Sequence, residues 1–159
     1  MAVKPIPDGY PKVTPYLHVD GAAGAIEFYK NVFGATERMQ MAAPGGKVAH
    51  AELELGDSLV MLADESPDMG IRGPSAYGGS PVMISVYVED VDGTYRKALD
   101  AGAKSVSELE NQFYGDRTAQ FEDPFGHRWH IAQHVEDVPP GEMERRAAEA
   151  MGAMGGGEG

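Results

Sequence analysis

Hydrophobic and polar positions alternate through Val13–Val19. Val13, Leu17 and Val19 fall on one face with Pro15, and Thr14, Tyr16 and His18 on the other. The period then lengthens: Ala22, Ala25, Ile26, Tyr29 and Phe33 recur at helical spacing, which predicts an amphipathic helix over Gly21–Phe33 stopped by Gly34. Thr36–Ala42 reads as a strand, Pro44-Gly45-Gly46 as a turn, and Val48–Leu55 as a strongly alternating strand. Gly56-Asp57 turns the chain and Leu59–Ala63 returns, so the first unit is β-α-β-β-β.

The order then recurs. Val82–Val88 alternates, Val91–Ala101 is helical with Gly102 as its stop, and Lys104–Ser107, Arg117–Glu122 and Arg128–Gln133 are strands. Val19 and Val88 lie 69 positions apart, Gly34 and Gly102 lie 68 apart, and a supersecondary unit repeated at fixed period sets the architecture. The chain therefore divides into an extended arm (1–12), a first module (13–64), a Gly/Pro/Ser-rich connection (65–80), a second module (81–135), a C-terminal helix (139–151) introduced by Pro139-Pro140, and a glycine-rich tail (152–159) expected to be disordered.

Because strand side chains alternate, the aliphatic face of each strand is expected on the helices and the mixed face on a cavity. An offset of 69 pairs Thr14 with Met83, Tyr16 with Ser85, His18 with Tyr87, His50 with Ala119, Glu52 with Phe121 and Met61 with His130. It sets Arg117 beside Phe121 on the cavity face, and Arg128 beside His130.

Composition narrows the function. The formal net charge of −12 excludes a phosphate-tracking surface and hence nucleic acid as a partner. No apolar run is long enough to cross a membrane, no secretory signal opens the chain, and the absence of Cys removes thiolate chemistry, all of which fits a cytosolic protein.

The segments AIEFYKNVFGA, HAELELGDSLVMLADE and YGDRTAQFEDPFGHRWHI, together with the repeat, resemble the vicinal oxygen chelate superfamily of glyoxalase I, bleomycin-resistance proteins and extradiol dioxygenases over residues 13–135. The last two segments are similar to its PhnB-like branch. The resemblance implies an α+β fold in which two tandem βαβββ modules form a curved eight-stranded mixed sheet around a cavity, with function inside that cavity. It also implies a homodimer. Family enzymes hold one divalent metal, and the four ligand positions of glyoxalase I fall here on Thr14, Met61, Met83 and His130. Only His130 is an ordinary ligand, so the usual site is expected to be lost and no cofactor is expected.

Three function classes follow. The first is a protein that binds or sequesters a small anionic or aromatic molecule in a cavity lined by Thr14, Tyr16, His18, His50, Met61, Met83, Ser85, Tyr87, Arg117, Phe121, Arg128 and His130. The second is a metal-dependent lyase, isomerase or dioxygenase, in which His18, His50, Glu52 and His130 form a displaced shell for Zn, Ni, Mn or Fe and Glu52 is the base. A third is an interaction module with a vestigial cavity. Arg117 and Arg128 either read an anionic ligand or pair with Glu52 or Glu54 across the sheet. Tyr77 and Tyr114 sit in Gly-rich loops as lids or turn packing, and His127 and His134 are expected at the surface.

Overall fold

The computed structural model describes residues 2–155. The first module contains β1 (Tyr16–Val19), α1 (Ala22–Phe33), β2 (Thr36–Ala42), β3 (Val48–Leu55) and β4 (Ser58–Asp64). The second contains β5 (Met83–Tyr87), α2 (Val91–Asp100), β6 (Lys104–Asn111), β7 (Asp116–Glu122) and β8 (Arg128–His134), and α3 (Pro140–Gly155) follows. Each module makes one four-stranded mixed sheet, ordered β1-β4-β3-β2 and β5-β8-β7-β6. β1 runs parallel to β4 and β5 parallel to β8, while the remaining pairs are antiparallel. The eight strands thus form two sheets, and β1 and β5 each have one unpaired edge. None of the described helices is long and apolar enough to cross a membrane.

Equivalent devices start the two parallel crossovers. Asp64, at the end of β4, accepts from the backbone N–H groups of Gly21 and Ala22 at the start of α1. Gln133, near the end of β8, accepts from Val91 N–H at the start of α2. Both satisfy first-turn donors that the helix itself leaves unpaired. Gly34, at a φ of 66°, closes α1 in the left-handed region, where glycine pays no Cβ penalty.

A single core joins the modules. Leu17, Val19, Leu53, Val60 and Leu62 from the first sheet and Ala119, Phe121, Trp129 and Ile131 from the second pack with α1 and with Val91 and Ala98 of α2. α1 supplies the aromatic contacts across the junction. Phe28 meets Phe121 edge-on at 6.4 Å, Phe33 stacks on Phe121 at 6.1 Å, and Phe33 lies 4.7 Å from Trp129. With both aliphatic faces in one core, each sheet turns its mixed face away from the core and from the other sheet.

Several boundaries move. β1 starts at Tyr16, with Val13 to Pro15 leading into it, and β6 continues to Asn111 rather than ending at Ser107. α3 runs past the expected end at Met151 to Gly155, and Arg145 ties its earlier turns by bridging Glu142 and Glu149. The expected tail is therefore helical over its first four residues, and 156–159 lie outside the described residues.

The larger correction concerns register. Ala51 stands opposite Leu62 and Ala119 opposite Ile131. Ala51 and Ala119 are thus equivalent at an offset of 68, whereas Leu62 and Ile131 are equivalent at 69. The cause is the turn. Glu54 pairs with Leu59 across four residues, but its equivalent Glu122 pairs with Arg128 across five, so the second turn carries one residue more. A one-residue slip exchanges the faces of a strand. Arg117 and Phe121 accordingly sit on the core side of β7. Phe121 is fully buried, and Arg117 reaches Asp92 of α2 in a two-point ion pair at 2.9 and 3.0 Å. Neither lines the mixed face as expected, and Arg117 pairs with neither Glu52 nor Glu54 in the described structure.

Candidate functional site

The mixed face of the first sheet brings together Tyr16 and His18 of β1, His50 and Glu52 of β3, and Met61 of β4, which pairs in register with both Tyr16 and Glu52. Three of them, Tyr16, His50 and Glu52, are joined with Tyr10 in a continuous hydrogen-bonded chain. Tyr10, in the N-terminal arm, donates to Glu52 Oε1 at 2.9 Å. Glu52 Oε2 lies 2.8 Å from His50 Nε2, and His50 Nδ1 lies 2.8 Å from the Tyr16 hydroxyl. Burial draws the Glu52 carboxyl upward, but hydrogen bonds from His50 and Tyr10 outweigh it and hold its pKa below the usual carboxylate range. An ionised carboxylate only accepts, so His50 Nε2 donates to Glu52, which leaves Nδ1 to face the Tyr16 hydroxyl. Burial first, and then the nearby Glu52 charge, push the Tyr16 phenol upward.

The arm is held over this face by more than Tyr10. Arg38 of β2 donates to Gly9 O at 2.8 Å and lies 4.4 Å over the Tyr10 ring. Glu52 is buried beneath this cover, whereas Tyr16 stays exposed.

The mixed face of the second sheet carries Met83, Ser85 and Tyr87 of β5, Asp116, Thr118 and Gln120 of β7, and Arg128, His130 and His134 of β8. Tyr87 donates to Asp116 Oδ2 at 2.7 Å. Asp116 Oδ1 lies 2.8 Å from His134 Nδ1, and His134 Nε2 lies 2.7 Å from Asp137. Asp116 is buried. Burial raises its carboxyl, but the bonds from His134 and Tyr87 outweigh this and lower it. His134 is raised, first by its bond to Asp116 and then by Asp137. His130 Nδ1 lies 2.9 Å from Ser85 Oγ. His134 is at the surface as expected. His127 is half-buried and donates from Nε2 to the His18 carbonyl at 3.0 Å, a tie between the modules.

The expected ligand sets meet different fates. At the four family positions stand a hydroxyl (Thr14, ahead of β1), two thioethers (Met61 and Met83) and one imidazole (His130). This donor set does not fit a divalent Zn, Ni, Mn or Fe ion. In the displaced set, His18, His50 and Glu52 share the first sheet, but His130 projects from the second sheet on a face directed away from them. Both nitrogens of His50 are taken by Glu52 and Tyr16. Among the described residues no three His, Asp or Glu side chains are grouped as a metal site would need.

An open cleft of about 920 Å³ lies between the modules, along β5 and the segment that leads into β1. Its walls are core-side residues, including Phe33, Ile84, Val86 and Trp129, and of the expected lining residues only Ser85 and Tyr87 reach it. The mixed faces thus lie apart from this cleft except at Ser85 and Tyr87 of β5. Tyr77 is exposed in its loop and Tyr114 lies beside Phe113 at 5.3 Å.

Sequence reasoning missed Tyr10, because an arm with three prolines carries no periodic signal, and missed Asp116 because the offset of 69 assigned β7 to the wrong face. An offset of 68, already present in the Gly34–Gly102 pair, would have set Thr118 opposite His50 in the repeat and Asp116 on the mixed face.

The chain has relatives among known proteins. It is 42% identical over 150 residues to an uncharacterized protein of Mycobacterium bovis, covering 92% of this chain and 96% of that one. The structure of a gene product from Arabidopsis thaliana superposes with a TM-score of 0.62 at 28% identity, covering 77% of this chain and 98% of that one. A PhnB protein from Bacillus cereus shares the fold with a TM-score of 0.63 at 17% identity, over 77% of this chain and 99% of that one. The model of the glyoxalase/bleomycin resistance protein/dioxygenase superfamily matches residues 13–131, and the chain belongs to that family.

Proposed function

We propose that two copies of this chain associate so that the mixed face of the first sheet of one copy meets the mixed face of the second sheet of the other, and that a small organic molecule binds in the cavity between them. The observation that carries this reading is the direction of the two faces. Each sheet spends its aliphatic face on the shared core and leaves at least partly open a face built from Tyr16, His18, His50, Ser85, Tyr87 and His130. Two such faces on one chain point apart and make no enclosed cavity between them. The unpaired edges of β1 and β5 support the same reading, since an open edge favours pairing with another strand.

The ligand we infer is compact and aromatic, held against Tyr16 and Tyr87 and oriented by the polar groups around them. Glu52 and Asp116 are held ionised on these faces; Arg117 is turned toward Asp92 and Arg38 is engaged with Gly9, Tyr10 and Glu52, which leaves Arg128 as the guanidinium best placed to favour an anion. Binding proceeds without the family metal, given the donors at Thr14, Met61, Met83 and His130.

Two measurements test the proposal together. Light scattering is expected to give twice the chain mass of 17.0 kDa. A thermal-shift panel of aromatic fragments is expected to contain stabilising members whose effect survives a chelator. A monomer mass at working concentration, or stabilisation that disappears with chelator, overturns it.

A further inference from the structure

The Tyr16–His50–Glu52 chain has an arrangement that a binding wall does not require. A buried carboxylate fixes an imidazole at 2.8 Å, and the imidazole's other nitrogen faces a hydroxyl at 2.8 Å. The hydroxyl is the exposed end of the series and the carboxylate its buried end. This is the geometry of an activated nucleophile: a hydroxyl within reach of a base, and a third group that sets the tautomer and orientation of that base. Such constellations are recognised by their geometry and roles rather than by chain order.

We propose that Tyr16 Oη is a nucleophile toward small activated acyl compounds, with His50 as its general base and Glu52 as the positioning residue. The proposal rests on the mixed face being a small-molecule site. The raised phenol leaves little free phenolate near neutrality, so the proton must leave as the new bond forms. In that step the Tyr16 O–H bond breaks and its proton passes to His50 Nδ1. Oη bonds to the acyl carbon, and the leaving alcohol or thiol departs with the proton that His50 returns. Water, deprotonated by the same Nδ1, then attacks the aryl ester. It releases the carboxylic acid and restores the phenol. Throughout, Glu52 faces the imidazolium that forms at Nε2 and balances its charge. Tyr10 supports the carboxylate from the other side, its bond to Oε1 leaving Oε2 aimed at the ring.

The test does not need the natural substrate. Phenylmethanesulfonyl fluoride replaces the acyl compound, forming an O–S bond at Oη with loss of fluoride, and peptide mass mapping of the full-length protein reads the site. Tyr77 is more exposed than Tyr16, at 70% against 43%, and its hydroxyl makes no hydrogen bond among the described residues, so it serves as the internal reference. At pH 7.5 Tyr16 is expected to be labelled at least tenfold faster than Tyr77. The Tyr16 rate should already be high well below the range in which free phenols ionise, whereas the Tyr77 rate should rise only there. His50→Gln is expected to bring Tyr16 down to the Tyr77 rate, and Glu52→Gln to slow it severalfold. Circular dichroism checks that the variants fold, and the pH profile of the unmodified protein decides the matter if they do not. Equal labelling of Tyr16 and Tyr77, or a Tyr16 rate indifferent to His50→Gln, overturns the proposal. If that happens while fragments still stabilise a dimer, the nucleophile fails and the binding reading stands. If no fragment binds but Tyr16 is selectively labelled, the reverse holds.

Discussion

Asp123 offers the sharpest energetic test of how the modules are joined. Its carboxylate is buried at 3% exposure and serves four donors. Oδ2 accepts from the Tyr29 hydroxyl of α1 and from Trp129 Nε1 of β8, while Oδ1 accepts from Phe125 N–H and His127 N–H in the β7–β8 loop. In Asp123→Ala the two loop N–H groups can reach water, since Phe125 and His127 are only half-buried, but Tyr29 and Trp129 are each 1% exposed and cannot. An orphaned buried donor costs about 1–3 kcal/mol, so two, together with a loosened loop, predict a loss of roughly 3–5 kcal/mol. That is a large share of the ~5–15 kcal/mol that holds a domain of this size. Tyr29→Phe removes one donor and leaves the carboxylate three, predicting about 1–2 kcal/mol. The double variant should cost less than the sum, because no phenol is left to orphan. Trp129 is the only tryptophan and sits in the network, so urea unfolding followed by its fluorescence, at one fixed protein concentration, reads all three variants. A loss under about 1 kcal/mol for Asp123→Ala, or additivity in the double variant, would refute the reasoning.

Three further outcomes follow. Asp64, whose carboxyl burial raises but whose bonds from Val48, Ala22 and Gly21 lower further, is depressed in the folded state. Its stabilisation is therefore complete above the ordinary carboxylate pKa near ~4 and lost as pH falls through the folded value, so Asp64→Asn should flatten the acid limb of stability measured by denaturation from pH 6 to 3. His134, raised by Asp116 and then Asp137, should titrate by NMR above the ordinary imidazole value of about 6.5, and Asp116→Asn should bring it down. The sign is opposite to that of Asp64: this contribution is present below about 6.5 and fades as pH rises through the folded value. Arg117→Ala should leave fragment binding unchanged, because its partners are Asp92 and Asn111 rather than the mixed face, and a loss of binding would return it to the site.

The repeat made the fold legible. Periods of 2 and 3.6 residues, with glycine stops at Gly34 and Gly102, located the core strands and the two helices α1 and α2, and the facing of β1, β3, β4, β5 and β8 followed from alternation. β7 was misassigned because alternation has no tolerance for a single inserted residue: Arg117 and Phe121 changed faces when the β7–β8 turn proved longer than its counterpart. A buried Phe and an ion-paired Arg were compatible with either face by composition, so only register could separate them. The candidate site was partly legible. Tyr16, His50 and Glu52 were placed on one face, but their bonding into a chain depends on rotamers and on Tyr10, which arrives from a segment without periodicity. The division into two sheets rather than one continuous sheet was not legible either, because edge pairing between modules leaves no mark in a single chain.

The central claim is that the two mixed faces meet across two copies. The chain contains no cysteine, so single introduced thiols report without background. His18→Cys and His130→Cys variants, unfolded together, refolded as a mixture and treated with a short bis-maleimide, should yield a cross-linked species joining position 18 of one copy to position 130 of another. Neither variant alone should yield that link. A mixture that remains uncrosslinked at the chain mass of 17.0 kDa would contradict the account.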